Sequence, residues 1–145
     1  ATGLPLVILV NDGSASASEI VAGALRDARR APLVGETTFG TGTVLNEFPL
    51  PDGSALMLAV QEWLTPSGHS FWHRGIQPDF PVSLPDNGTL LVPEAERAMT
   101  AAQLQSSGDT QLLKALQIVS QEIQGRPIPW PTNAPATNAA SATDQ

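Results

Sequence analysis

The chain contains no cysteine, which excludes a disulfide framework and a thiolate zinc site. It is poor in positive charge: seven Lys and Arg stand against fourteen Asp and Glu, a formal net charge of −7. Nucleic acids and anionic membranes are held through clustered Lys and Arg, so neither is an expected partner. No apolar run is long enough to span a bilayer. The opening residues Ala1-Thr2-Gly3-Leu4-Pro5 lack the basic region of a signal peptide and drop at once into a strand-like run, as in a chain cut from a longer one. No internal repeat stands out. What remains is 145 residues, 41% hydrophobic, enough for one domain around one core.

Leu4 to Val10 reads as a buried strand, apolar on both sides and so expected at the centre of a sheet covered on both faces. Asn11-Asp12-Gly13 closes it. A helical pattern follows, with Ile20, Val21, Ala24, Leu25 and Ala28 predicted to face inward. Ala31 to Gly35 is a second short strand, and Gly35 to Thr43 a Gly/Thr-rich loop. Val44 to Leu50 and Ser54 to Leu64 flank the turn signature Pro51-Asp52-Gly53, which predicts a β-hairpin. Phe80-Pro81-Val82 reads as an edge strand, where proline is tolerated. Pro93 to Gln105 predicts one helix, with proline in its first turn. Asp109 to Gln124 predicts another, capped by Asp109, with Leu112, Leu116, Val119 and Ile123 as its apolar stripe and Gly125 as its stop. Residues 126–145, rich in Pro, Ala, Thr, Asn and Ser, are expected to be a disordered tail.

Three familiar signatures fail on inspection. Gly35-x4-Gly40-Thr41 has the outline of a phosphate loop, but Thr41 stands where the lysine must be. Gly40-Thr41-Gly42 begins a dinucleotide fingerprint, but Leu45 replaces its third glycine. No glycine lies two residues after any serine of the Gly13–Glu19 stretch, so it is not a Gly-x-Ser-x-Gly elbow. His69 and His73 are four apart in a turn-rich segment without an acidic partner at ligand spacing, so a surface role is expected and no metal or cofactor is. Ser16 carries two compatible readings. Ser16-Ala17-Ser18-Glu19 matches a capping box. A serine at a helix start also sits beside unpaired N–H groups, where the N–H of Ala17 can face an oxyanion on a carbon attacked by Ser16. Ser16 then needs a base within reach.

Val10-Asn11-Asp12-Gly13-Ser14-Ala15-Ser16-Ala17-Ser18-Glu19-Ile20 resembles the nucleophile segment of the carboxyl-terminal processing peptidases, or tail-specific proteases. The similarity continues through Ala22-Gly23-Ala24-Leu25-Arg26-Asp27, Leu33-Val34-Gly35-Glu36-x-Thr38-Phe39-Gly40-x-Gly42 and Leu50-x-Asp52-Gly53-Ser54-Ala55-Leu56. Thr65-Pro66-Ser67-Gly68 and Gly75-Ile76-x-Pro78-Asp79 complete it, in order and at the right spacing, over about Leu4 to Val82. The resemblance implies an α/β fold of the ClpP/crotonase type: a core fragment with a mixed sheet, a helix after the serine loop and C-terminal helices. With the two helices and the tail read above, the chain is expected to divide into residues 1–92, the C-terminal part of the protease core; 93–125, two C-terminal helices; and the tail 126–145. The resemblance also implies a protein or peptide substrate, a PDZ domain elsewhere in the full-length protein, and a cell-envelope or exported location.

Carried over residue by residue, the resemblance puts Ser16 on the catalytic serine and the Ala17 N–H on the oxyanion. Asp27 falls on a supporting acidic position. Thr41 falls on the base lysine of a Phe-Gly-Lys-Gly motif, here Phe39-Gly40-Thr41-Gly42, and Leu45 on a supporting glutamine. Threonine cannot replace lysine as a base, because its hydroxyl stays protonated near neutral pH. His73, in Trp72-His73-Arg74-Gly75-Ile76, is the only histidine in a family-like motif. Two readings stay open: a serine endopeptidase whose base comes from elsewhere, and a catalytically inactive peptide-binding module that keeps the fold.

Overall fold

The three residues of β2 (Leu33–Gly35) are all buried, and the sheet is built on them. In the computed structural model, which describes residues 3–130, β2 lies between β1 (Ile8–Val10) and β5 (Phe80–Pro81). Both neighbours run parallel to it, with Leu9 opposite Val34 and Val34 opposite Phe80. The central strand is therefore β2. β1 is a side strand of three residues whose Leu9 is 44% exposed, not a long strand covered on both faces. β5 takes the opposite edge, as its proline requires.

Gly35 makes the approach of β1 possible. Its φ is +128°, and a Cβ there would lie 2.0 Å from the Val10 carbonyl oxygen, which accepts the Glu36 N–H at 2.9 Å. Val10, Leu33, Ala22, Phe71 and Ile76 form the buried cluster, with Ile8 and Ile20 packed against it.

Helix α1 (Ala17–Asp27) crosses from β1 towards β2, and its buried residues are Glu19, Ala22 and Gly23. Of the residues predicted to face inward, Val21 is 56% exposed. The helix is turned so that Glu19 is fully buried and Ile20 packs against the core, which leaves Val21 outside. The same holds for α4 (Thr110–Ile123). Asp109 caps it as predicted, accepting the Leu112 N–H at 2.8 Å. Its buried face is Gln111, Ala115 and Ile118, whereas Ile123 of the predicted stripe is 70% exposed. The Gln111 side chain donates to the Val82 carbonyl just beyond β5 (3.0 Å), which fixes this rotation.

The region predicted as one helix from Pro93 is two short ones, α2 (Pro93–Glu96) and α3 (Ala101–Gln105). Thr100 restarts the chain: its hydroxyl accepts the Gln103 N–H (3.3 Å), and Gln103 returns a bond to its amide (2.8 Å). The segment after Pro93 thus carries three helices, not two. The hairpin forms as read, from β3 (Thr43–Pro49) and β4 (Ala55–Glu62), antiparallel, with an irregularity between Val44 and Leu45. Every residue of β4 is exposed. No helix among the described residues is long and apolar enough to cross a membrane. Most of the predicted disordered tail lies outside the described residues.

Candidate active site

Ser16 lies where β1's loop becomes α1, at φ 55°, ψ −117°. A non-glycine residue in this region costs about 1–3 kcal/mol and persists only where its surroundings enforce it. Here they do. Asn11 shapes the loop, its Oδ1 accepting the Gly13 N–H at 3.0 Å and the Ser14 hydroxyl at 3.3 Å. Ser14 is thereby committed to the turn. Ser16 is exposed, and its hydroxyl makes no side-chain cap hydrogen bond. The capping box is present, with the Ser16 N–H donating to Glu19 Oε2 at 3.0 Å and the Ser16 side chain facing the Glu19 N–H. The Glu19 N–H goes to the Ser16 carbonyl at 2.9 Å. The Ser16 hydroxyl thus sits at the start of the helix, whose first N–H is that of Ala17.

Glu19 does more than cap. It is fully buried, and both of its oxygens accept from a distant loop. Oε1 takes the Thr38 hydroxyl (2.5 Å) and the Gly40 N–H (2.7 Å), and Oε2 takes the Thr41 N–H (2.9 Å) as well as Ser16's. One oxygen shared between two amides puts the backbone nitrogens of Ser16 and Thr41 within about 6 Å of each other. A second bond joins the same two segments, Phe39 N–H to the Ser14 carbonyl at 2.9 Å. Thr38 extends the network by accepting the Ile76 N–H at 2.7 Å.

The predicted residues are therefore only partly assembled. Ser16, Ala17 and Thr41 come together. His73 is drawn to the same loop through its backbone, its N–H donating to the Gly40 carbonyl at 2.9 Å, and its ring lies against Trp72 at 4.5 Å between centroids. Ser16 and His73 are two of only three non-glycine residues with positive φ among those described. Asp27 is not at the site. It ends α1, about 16 Å along the helix axis from Ser16. There its Oδ2 accepts the Ser67 N–H (2.9 Å) and hydroxyl (2.5 Å). Burial raises the Asp27 pKa, but the bonds from Ser67 and Thr65 and the nearby His69 outweigh it, and the carboxyl is held below its ordinary value. His69 is tied to Ser67 through Nδ1 at 2.7 Å, away from the serine loop. Asp79 of the Pro-Asp motif pairs with Arg26 (3.0 Å) and takes the Leu33 N–H (2.9 Å), joining α1 to β2.

Sequence reasoning missed Glu19 as the organiser. The capping box identified its local bond, but partners 19–22 residues away leave no periodic trace in a single chain.

A serine at positive φ thus stands at a strand-to-helix turn, beside a helix N-terminus, on an α/β core. Comparison with known proteins gives the family. Residues 1–82 match the model of Peptidase family S41, and the chain belongs to that family. Its relatives there are carboxyl-terminal processing proteases. It is 44% identical over 106 residues to carboxy-terminal processing protease CtpA of Bacillus subtilis, covering 73% of this chain and 22% of that one. It is 42% identical over 120 residues to the carboxyl-terminal-processing protease of Synechocystis, covering 83% and 25%. The photosystem II D1 C-terminal processing protease superposes with a TM-score of 0.53 at 43% identity, over 57% of this chain and 22% of that one. Mature CPAF shares the fold, with a TM-score of 0.59 at 22% identity. The chain spans about a quarter or less of the length of these relatives.

Proposed function

We propose that the chain is the nucleophile-bearing part of a serine endopeptidase that cuts peptide bonds in protein substrates. Ser16 attacks the scissile carbonyl, and the Ala17 N–H helps to hold the oxyanion. Thr41 holds the lysine's place in the loop but does not take the serine's proton. That proton goes to a histidine or lysine from another part of the longer protein. The observation that carries this reading is the positive φ of Ser16 at the start of α1, held by bonds to its neighbours. A simple N-cap would need no positive φ. The resemblance adds a PDZ domain in the longer protein and a cell-envelope or exported location. The exposed hairpin fits substrate capture, since a bound extended segment can add to a strand edge.

Thr41 favours a second reading, a peptide-binding module without hydrolysis. A fluorophosphonate probe separates the two. The longer protein is expected to label at Ser16, to lose labelling in Ser16→Ala, and to show no labelling of the present chain alone. A longer protein that stays unlabelled, with no titratable base near Ser16 Oγ in its structure, establishes the binding module instead.

A further inference from the structure

A cavity of about 650 Å³ opens at the carboxyl ends of the three parallel strands. Its volume falls in the small-ligand range of about 300–1,000 Å³, and open α/β sheets bind ligands outside the carboxyl ends of their strands. Asp12 reaches it from the turn after β1, Glu36 and Thr37 from the end of β2, and Ser83 from beyond β5, with Gln77 as a further wall. The backbone beneath them is tied across the sheet. The Glu36 N–H donates to the Val10 carbonyl at 2.9 Å, and the Val82 N–H to the Gly35 carbonyl at 2.8 Å.

The polar side chains around it are uncommitted. The carboxylates of Asp12 and Glu36 have no hydrogen bond or ion pair among the described residues, although Glu36 is half-buried. A carboxylate partly withdrawn from water and left without a donor is the exception in a folded chain. The Gln77 amide and the hydroxyls of Thr37 and Ser83 are likewise unused among the described residues. No Lys, Arg or His lines the cavity. Charged groups on the adjoining segments are engaged elsewhere, Asp79 with Arg26, and Lys114 with Gln117 and the Phe80 ring. Arg74 lines a different cavity, beside α1. The walls therefore carry two carboxylates and no counter-charge.

We propose that this cavity receives an arginine or lysine side chain of a bound polypeptide, which on the peptidase reading is the substrate. Two carboxylates, with hydroxyl and amide acceptors beside them, match a cation that carries several donors, and such charge-assisted bonds are about twice as strong as neutral ones. A metal ion fits less well. No group of three or more His, Cys, Asp and Glu among the described residues could hold one, and the cavity is far wider than an ion. Helix α1 starts from the same end of the sheet, and Asp12 and Ser16 are four residues apart, at most about 14 Å of chain. An extended peptide cut at Ser16 can thus place a basic residue in the cavity within about four residues of the cut bond. That the cation belongs to a substrate rests on the peptidase reading; its capture by this chain does not.

Binding to the chain of N-acetyl-Ala-Ala-Arg-Ala-Ala-amide and of its neutral citrulline twin, followed by NMR shift changes, tests the proposal. The arginine peptide is expected to bind at least about tenfold more tightly, with its shifts centred on Asp12, Glu36, Thr37, Gln77 and Ser83. Glu36→Gln and Asp12→Asn are each expected to reduce that preference, and the double variant to remove it. Glu47→Gln, which takes a charge from the exposed hairpin, is expected to leave it intact. Equal affinity for the two peptides overturns the proposal. So does a preference that survives the double variant, or one that Glu47→Gln lowers as much as Glu36→Gln does, the mark of general attraction to an acidic chain. Displacement of the arginine peptide by equimolar calcium would assign the cavity to a metal instead. Binding is read on the present chain and Ser16 labelling on the longer protein, so arginine capture beside a longer protein that stays unlabelled upholds this site and removes only the peptidase reading.

Discussion

The parallel sheet and the β3–β4 hairpin are built from similarly apolar sequence and end in opposite states. β2 is buried at every residue, while β4, also rich in Leu, Val and Met, is exposed at every residue. Leu56, Met57, Leu58 and Val60 are 44–56% exposed. An apolar strand does not specify its own burial. What separates the two regions is polar chemistry. The sheet region has Glu19, Asp109 and Gln111, buried and hydrogen-bonded across elements, and these tie helices and loops onto β1, β2 and β5. The hairpin has no such hook. A lone two-stranded hairpin is marginal in water, and an exposed apolar face of this kind marks an interaction surface.

Paired substitutions can break this contrast. The largest difference is expected between two glycines. Gly35→Ala drives a Cβ into the Val10 carbonyl and should cost more than about 4 kcal/mol, read as a collapse of the denaturant midpoint. Gly53→Ala, in the hairpin turn at φ +87° with open space around it, should cost only about 1–2 kcal/mol. Next comes Glu19→Ala, which strands buried donors from Thr38 and Gly40 and should cost about 3–5 kcal/mol. Glu47→Ala in the exposed β3 should change stability by less than about 0.5 kcal/mol. In the longer protein, Glu19→Gln should also lower the rate of Ser16 labelling, through the loss of its hold on the loop. Leu33→Ala should cost about 2–5 kcal/mol, and Leu58→Ala less than about 1 kcal/mol. Equal costs for those two leucines would mean that the hairpin shares the core.

The smallest effect concerns Asp27. Its depressed pKa means that its contribution is present above the ordinary carboxylate value of 3.8 and is lost as pH falls below it. Asp27→Asn should lower stability slightly near neutral pH, leave it nearly unmoved at the acid extreme, and so flatten the fall between them. An unchanged acid limb would remove the Ser67 clamp from the account.

The hairpin, the edge strand with its proline, the Asp109 cap and the serine turn were all legible in the sequence, because each rests on local chemistry. The rotations of α1 and α4 were not. Periodicity puts Val21 and Ile123 among the inward residues, but each helix is turned by a polar residue whose partner is far away in the chain. Glu19 answers Gly40 and Gln111 answers Val82. The position of Asp27 was misleading for a related reason. A motif match gives an order of residues, and a helix then carries residue 27 about 16 Å from residue 16. The family was legible because its motifs are many and ordered, although no single one is distinctive.

The double acceptance at Glu19 Oε2 separates architecture from chemistry at position 41. The fold reads that residue through its backbone, the amide donating to Glu19 at 2.9 Å and the carbonyl accepting from Thr43, and any residue but proline supplies both. Its side chain is free of that duty. A change of side chain at position 41 is therefore expected to leave the serine turn standing, and Thr41→Lys to be accepted without that turn being rebuilt.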